Sequence, residues 1–599
     1  MTTRLEDYLL IGDTHTAALV GIDGSIDWLC LPRFDSGACF AALLGDEKNG
    51  RWKIAPAGGI RATSQSYRDG SLVAETEFQT EDGAVRLIDG MTIRDGSNDS
   101  HVVRVVEGIT GRVPMAMELI ARFDYGSVVP WMQQVDGEDR LVAGPNELRL
   151  RSPIETHGEH LATHATFSVA AGDRIPFVLS WRPSFGSAAV AEQPEAWAAL
   201  ESTTNWWREW SSQFSGSGDW QDAVVRSLIT LKALTYAPSG GIVAAPTTSL
   251  PERLGGVRNW DYRFCWLRDA TFTLDALMLA GYAREAIAWR DWLLRAIAGD
   301  PASFQILYRI TGERRVEEWE VPWLAGYEGS GPVRVGNAAS GQFQLDVYGE
   351  VMNSFFLGRR VGLPPDDSSW AFERHIVDFL EDAWQQPGAG IWESRGPAQH
   401  FTYSKAMAWV AFDRAAKMVE RFGVPGDADR WRATAADIHA EVCAKGFNSD
   451  RNSFVQVYGG TRTDASLLRL PAVGFLPADD PRIAGTIKTI EHDLLREGYV
   501  HRYSRSAADD SLPAGEGTFL ACAFWLADAY ALAGRLDDCR ATMERLLAIR
   551  SATGLLAEEY DTTRKRLVGN YPQALSHVGL VRTAMTWRDA QAAAAMRND

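Results

Sequence analysis

The chain has 599 residues, 46% hydrophobic and 23% charged, a soluble globular profile too long for a single core. Lys and Arg total 60 against 78 Asp and Glu, so the net charge is −18; this argues against nucleic acid and anionic membrane surfaces as partners and suits a small neutral ligand. The six cysteines show no CxxC or metal-ligand spacing, and three lie in apolar runs, so reduced core thiols are expected. The start lacks a basic stretch followed by an apolar core, and no run of about 20 apolar residues occurs, which predicts a cytoplasmic protein.

Residues 1–190 read as short strands between Gly and Asp turns. "VAETEFQTEDGAVRLIDGMTI" alternates apolar and polar residues on both sides of Asp82-Gly83, and "HATFSVAAGDRIPFVLSWRP" repeats the pattern. That texture predicts an antiparallel β-sandwich. Residues 191–217, around "PEAWAALESTTNWWREWSSQF", have helical spacing and form a linker helix. Residues 218–599 then carry one amphipathic segment after another: 219–237, 269–283, 284–298, 341–361, 369–385, 402–422, 427–446, 481–496, 516–534, 535–550 and 573–597. Paired helices in a closed toroid fit this better than a solenoid, because no fixed period repeats. Such a toroid gathers its loops at one end, where a pocket forms.

Four loop segments concentrate charge and aromatic side chains beside helix ends. In "RNWDYRFCWLRDATF", Arg268 and Asp269 supply donors and acceptors at fixed spacing, as sugar hydroxyls require; an Asp N-cap with a local ion pair is the plainer account. In "EEWEVPWLAGYEGSGPVRVGNAASGQFQLD", Trp319, Trp323, Tyr327, Arg334, Asn337, Gln342 and Asp346 offer aromatic walls and polar tips for a cleft. In "GAGIWESRG", Trp392 gives Glu393 an apolar neighbour that raises a carboxyl pKa, as a general acid needs, and Arg395 could bind a hydroxyl or orient that acid. In "LLAEEYD", Glu558 and Glu559 are adjacent, so on an extended segment they face opposite ways, one toward a pocket and one bonding locally. A solvated acidic loop explains each glutamate taken alone. If Glu393 and one of the latter pair line one pocket, they form the two carboxyls of glycoside hydrolysis. No HExxH, GxSxG or Walker motif stands in a convincing context.

At these residues the chain resembles glycoside hydrolase family 15, the glucoamylase and bacterial trehalase group. The start, "IGDTHTAALVGIDGSIDWLCLPRFDS", is similar to the group's trehalase-like first domain. "WLRDA", "VGNAASGQFQLDVYGE", "GIWESRG", "GEGTFLACAFWLADA" and "LLAEEYD" with "GNYPQALSHVGL" resemble its barrel loops. The resemblance implies a β-sandwich followed by an (α/α)6 barrel, and an exo-acting, inverting α-glucosidase that releases β-glucose without metal or organic cofactor. It makes Glu393 the general acid and Glu558, first of an EEYD/EQYD-type segment, the general base. Arg268 and Asp269 then hold the terminal glucose, Trp323 and Trp392 wall it, and Arg395, Arg502, Glu516 and Glu559 serve the sugar subsites. Ser394 stands where fungal members carry a second acidic residue, which leaves contacts beyond the first sugar open.

The expected ligand is a small neutral α-glucoside. Trehalose leads, by analogy with the first domain and because starch does not cross membranes; malto- and isomalto-oligosaccharides follow. Two rivals from other classes are an inverting phosphorylase, with a phosphate site in place of the base, and a non-catalytic sugar-binding protein. Arg33 and Asp35 in "PRFDS" either reach the pocket or seal the first domain, the second being the expectation.

Overall fold

The computed structural model describes residues 3–94, 99–185, 193–297, 300–364, 366–504 and 515–598. The expected boundary near residue 190 lies outside them.

From Tyr8 to Pro183 the described chain is almost entirely antiparallel strand. Alternation in the sequence becomes alternation in burial: along Ala74–Thr80, Ala74, Thr76 and Phe78 point inward while Glu75 and Glu77 do not. The long strand Ser100–Ile120 joins two sheets. Its first half pairs with Gly83–Met91 and Arg174–Pro183, and its second half with Arg51–Pro56 and Ala162–Ala170. The change of partners falls at Gly111, whose φ of 68° a glycine adopts without a Cβ penalty. Side chains from both sheets, among them Ile11, Trp52, Leu87 and Phe177, form one apolar cluster.

The rest is helical. The helix α1 (Ala196–Ser211) lays Ala196 and Leu200 on the sheet residues Val73, Val103 and Val178, and sends Trp207 and Trp210 into the helical core. After it come α2 (Gln221–Ala233), α3 (Leu267–Leu279), α4 (Ala283–Ala296), α5 (Asp346–Arg360), α6 (Asp367–Ala383), α7 (Thr402–Phe422), α8 (Ala428–Lys445), α9 (Pro481–Asp493), α10 (Leu520–Leu532), α11 (Leu536–Ala548) and α12 (Ala574–Asn598). Every amphipathic segment predicted from the sequence corresponds to one of them. Side-chain caps start several: Asp366 accepts from two amides of α6, and Asp480 precedes Pro481 at the start of α9.

Packing sorts these helices into two layers. In the inner layer α12 touches α3, α3 touches α5, α5 touches α7, and a short 3-10 helix (Ala465–Arg469) links α7 to α10, which returns to α12. The helices α2, α4, α6, α8, α9 and α11 lie outside this chain of contacts. The layers are visible in composition. Inner α10 is apolar all round and almost wholly buried, whereas outer α9 buries one stripe that includes Ile483, Ile487 and Ile490. The 3-10 helix was not anticipated, because five residues are too few to display a helical period.

The sheet half and the helical half share a core. The Trp28 indole donates to the Pro246 carbonyl at 2.8 Å. Arg263, wholly buried, pairs with Asp261 and donates to Ser36 O and Tyr125 Oη. Asp35 accepts from Arg33 and from Arg309 of the helical half, so "PRFDS" fastens the seam between the halves. Among the described residues, no helix is long and apolar enough to cross a membrane.

Candidate active site

A cavity opens where the segments entering the inner helices converge. Arg268 stands at the start of α3, Asn337 and Ala339 precede α5, Ile391 to Arg395 precede α7, Arg502, Tyr503 and Phe519 precede α10, and Leu575 begins α12; all of them line it. The segment before α3 supplies Arg258, Trp260 and Tyr262, and before them Glu252. Their spacing of two is that of an extended chain, which sends alternate side chains to opposite sides. The other face of the same segment is structural. Asn259 donates to Ser330 O and Pro332 O, while Asp261 and Arg263 hold the seam.

At one end Glu393 sits on a strained turn. Gly390 has φ 73°, and a Cβ there would lie 2.8 Å from the Phe401 ring. Glu393 itself has φ 56°, a left-handed conformation that a residue with a Cβ holds only when its surroundings enforce it. The enforcing contacts are specific. The Gln342 amide donates to Glu393 O at 3.1 Å, and Arg268 donates to Ile391 O at 2.6 Å. The carboxyl accepts from Trp266 Nε1 at 2.8 Å and from Arg268 at 3.3 Å, and its side chain keeps 22% exposure toward the cavity. Burial pushes its pKa above the ordinary carboxylate range, the Arg268 guanidinium opposes that, and the Asp269 charge adds to the rise.

Behind Tyr262, outside the lining itself, Glu558 is 1% exposed. Its Oε1 accepts from the Tyr262 hydroxyl at 2.6 Å and its Oε2 from the Asn570 amide at 3.1 Å. Burial pushes it up to about 8, the Glu252 charge adds to this, and the Tyr262 hydroxyl, Arg502 and the Asn570 amide pull it back. The rings of Tyr262 and Trp266 lie 5.4 Å apart, so the donor to Glu558 and the donor to Glu393 are neighbours. Around Glu558 is a charged network. Arg502 is 2.8 Å from Glu252, 2.5 Å from Glu516 and 3.4 Å from Glu559; Arg258 is 2.6 Å from Glu516 and 3.5 Å from Glu252. Glu252, Glu558 and Glu559 each offer an oxygen within 4.8 Å of the others, the one group of metal-ligand spacing among the described residues. The Arg502 guanidinium already faces that group.

Of the residues predicted from sequence, Arg268, Trp392, Glu393, Arg395 and Arg502 line the cavity. Trp392 is fixed by its indole N–H, 3.0 Å from both Asp464 oxygens, and its ring lies 5.7 Å from that of Trp525, tilted by 36°. Arg395 lies over the Trp260 ring at 4.2 Å and pairs with Glu318. Asp269, Glu516 and Glu559 stand behind the lining and brace Arg268 or Arg502 rather than the cavity itself. Trp323 does not wall the cavity. It is 44% exposed, donates to Tyr125 O and packs beside Trp319, because its loop turns toward the sheet half. In that loop cluster only Asn337 reaches the cavity; Arg334 backs the Trp260 ring, Gln342 braces the Glu393 turn, Asp346 binds Ser404, and Tyr327 donates to Thr3 O. Glu558 and Glu559 were expected to diverge, with one bonding locally, yet both approach Glu252 and Glu559 makes no local bond among the described residues. Sequence reading missed Glu252, Arg258, Trp260, Tyr262 and Trp266. The period-two run Arg258, Trp260, Tyr262 was the available signal; nothing local marks Glu252.

Glu393 lines an aromatic-walled cavity and Glu558 stands behind Tyr262 of the same lining, and two such carboxyls are the pairing that glycoside hydrolysis uses. The sequence profile of glycosyl hydrolases family 15 matches residues 218–585, and the trehalase-like N-terminal profile matches residues 1–206. The chain belongs to glycosyl hydrolases family 15. It is 36% identical to a trehalase of Mycolicibacterium smegmatis, across 96% of this chain and 90% of the relative. It is 34% identical to a trehalase of Thermoplasma volcanium, across 97% and 93%. A solved bacterial glucoamylase complexed with acarbose has the same fold, with a TM-score of 0.74 at 13% identity over 98% of this chain and 94% of that one.

Proposed function

We propose that the protein hydrolyses α,α-trehalose to two glucose molecules with inversion. Six relatives described as trehalases, 31–36% identical over nearly the whole chain, support this substrate. In this reading residues 1–190 are a β-sandwich, 191–217 a linker helix and 218–599 an (α/α)6 barrel, with the 3-10 helix Ala465–Arg469 in one inner position. The six free cysteines suit a reducing, cytoplasmic setting.

The observation that carries the mechanism is the adjacency of Trp266 and Tyr262, which ties Glu393 and Glu558 to one cavity from two sides. Glu393, whose protonated form burial favours, gives its proton to the glycosidic oxygen as the bond to the anomeric carbon breaks. A water oxygen bonds to that carbon from the opposite face, and Glu558 takes the water's proton. Solvent then restores both groups. Inversion requires carboxyls roughly 6.5–9.5 Å apart, leaving room for the water. Arg268, braced by Asp269, and Arg502, braced by Glu252 and Glu516, serve as hydroxyl donors, and Trp392 and Trp260 as walls.

A second assignment of the base follows from one feature: Glu252 lines the cavity and Glu558 lies one residue behind it. Glu252 is already paired with Arg258 and Arg502, which makes it the poorer proton acceptor. On this reading Glu558→Gln abolishes hydrolysis and Glu252→Gln weakens substrate binding; the reverse pattern moves the base to Glu252. A second substrate, isomaltose, is favoured by an isomaltose glucohydrolase of Kribbella flavida, 29% identical across 50% of this chain. Incubation with trehalose, isomaltose, maltose and soluble starch, followed by NMR of the first-formed anomers, decides both substrate and stereochemistry. Inverting trehalose hydrolysis gives equal α- and β-glucose at early times. Retention gives α-glucose alone, and phosphorolysis gives glucose 1-phosphate.

A further inference from the structure

The carboxyls behind the cavity differ in what solvates them. Glu252 is 2.8 Å from Arg502 and accepts from the Trp260 indole at 3.2 Å. Glu516 accepts from both Arg258 and Arg502. Glu558 accepts from the Tyr262 hydroxyl and the Asn570 amide. Glu559 is 0% exposed, and neither of its oxygens accepts a hydrogen bond from any described residue. The nearest cation, Arg502, is 3.4 Å away and already shared with Glu252 and Glu516. Four carboxyls therefore face two guanidiniums in a buried space. An ionised carboxylate with no donor in such a place is costly, whereas a neutral carboxyl needs only an acceptor for its O–H. Oxygens of Glu252 and Glu558 lie within 4.8 Å of Glu559, so acceptors are at hand.

We infer that Glu559 is a neutral carboxylic acid in the working enzyme, and that by holding the cluster's proton it leaves Glu558 ionised as the base. It is a positioning residue that acts through Glu558, and the inference rests on the proposed base. The groups facing it come from four segments: Glu252 before α3, Arg502 and Glu516 before α10, the Cys522 thiol of α10, and Glu558 beside it. Burial and the Glu252 charge both push its proton affinity well up, in the same direction as the geometry. The amide of glutamine is the neutral isostere of the protonated acid.

Glu559→Gln tests this in the full-length protein. The expected infrared difference spectrum, wild type minus variant at neutral pH, contains one protonated-carboxyl C=O band. The acidic limb of kcat/KM against pH stays within about 0.3 of a pH unit of wild type, while kcat falls a few-fold as an N–H replaces the O–H. A carboxylate band in the difference spectrum, with the acidic limb moved down by about one unit or more, overturns the inference, since removing a true negative charge eases ionisation of Glu558. Glu559→Met, also neutral, gives the same two readings if the amide variant does not fold. Glu558→Gln, measured in parallel, tests the base separately: surviving hydrolysis defeats that reading whatever the infrared result.

Discussion

The two ends of the site hold their carboxyls, Glu393 in the lining and Glu558 behind it, by opposite means. Glu393 meets one indole and one guanidinium, the latter shared with Asp269 and Ile391 O, and its backbone adopts a left-handed turn there. Glu558 sits at a bend just before the strand Glu559–Asp561 and belongs to a group of four carboxyls around two arginines. At the first end the proton's location depends on a single residue and its burial. At the second it depends on how a whole network distributes charge, so protonation there is a property of the group.

The largest effects separate the two ends most sharply. Glu393→Gln and Glu558→Gln should each lower kcat/KM for trehalose by about 10²–10⁴-fold, the usual worth of a general acid or base. With α-glucosyl fluoride, whose leaving group needs no proton, Glu393→Gln should recover much of its rate and Glu558→Gln should not. Equal recovery by both variants would erase the distinction between acid and base.

Arg268→Lys comes next. The lysine keeps the charge but loses the fork that binds Asp269, Ile391 O and Glu393 together. Losing charged hydrogen bonds of about 1.5–3 kcal/mol should lower kcat/KM roughly 10–100-fold. With less cationic stabilisation the Glu393 pKa rises. The acid works protonated, so the basic limb of the pH profile moves up while the acidic limb stays.

Tyr262→Phe should act at the other end only. Removing the hydroxyl takes a donor from the Glu558 carboxylate and leaves the ring in the wall. The Glu558 pKa rises, and a base must be ionised, so the acidic limb moves up by about one unit as kcat/KM falls about tenfold at neutral pH. Burial raises the Glu558 carboxyl, so the wild-type acidic limb is itself expected above the ordinary carboxylate range. A basic-limb shift in Tyr262→Phe would show that the ends are coupled.

Trp323→Ala should have the smallest effect, with kcat/KM within about twofold of wild type, because the indole lies outside the cavity against Tyr125. A large rise in KM would return Trp323 to the sugar site.

Local pattern determined much of this molecule. Helical periodicity marked the helices, strand alternation marked the sheets, and a tryptophan beside a glutamate in a glycine turn marked Glu393, because each signal acts within a few residues. The period-two run from Arg258 to Tyr262 also carried one wall of the cavity. Only the tertiary structure decided that Trp323 faces the sheet half, that five residues of 3-10 helix link α7 to α10, and that Glu252 meets Glu558 and Glu559 from 306 and 307 positions away. Burial and charge act through space at distances of a few ångströms, so which carboxyl keeps its proton is fixed by neighbours that the order of residues along the chain does not bring together.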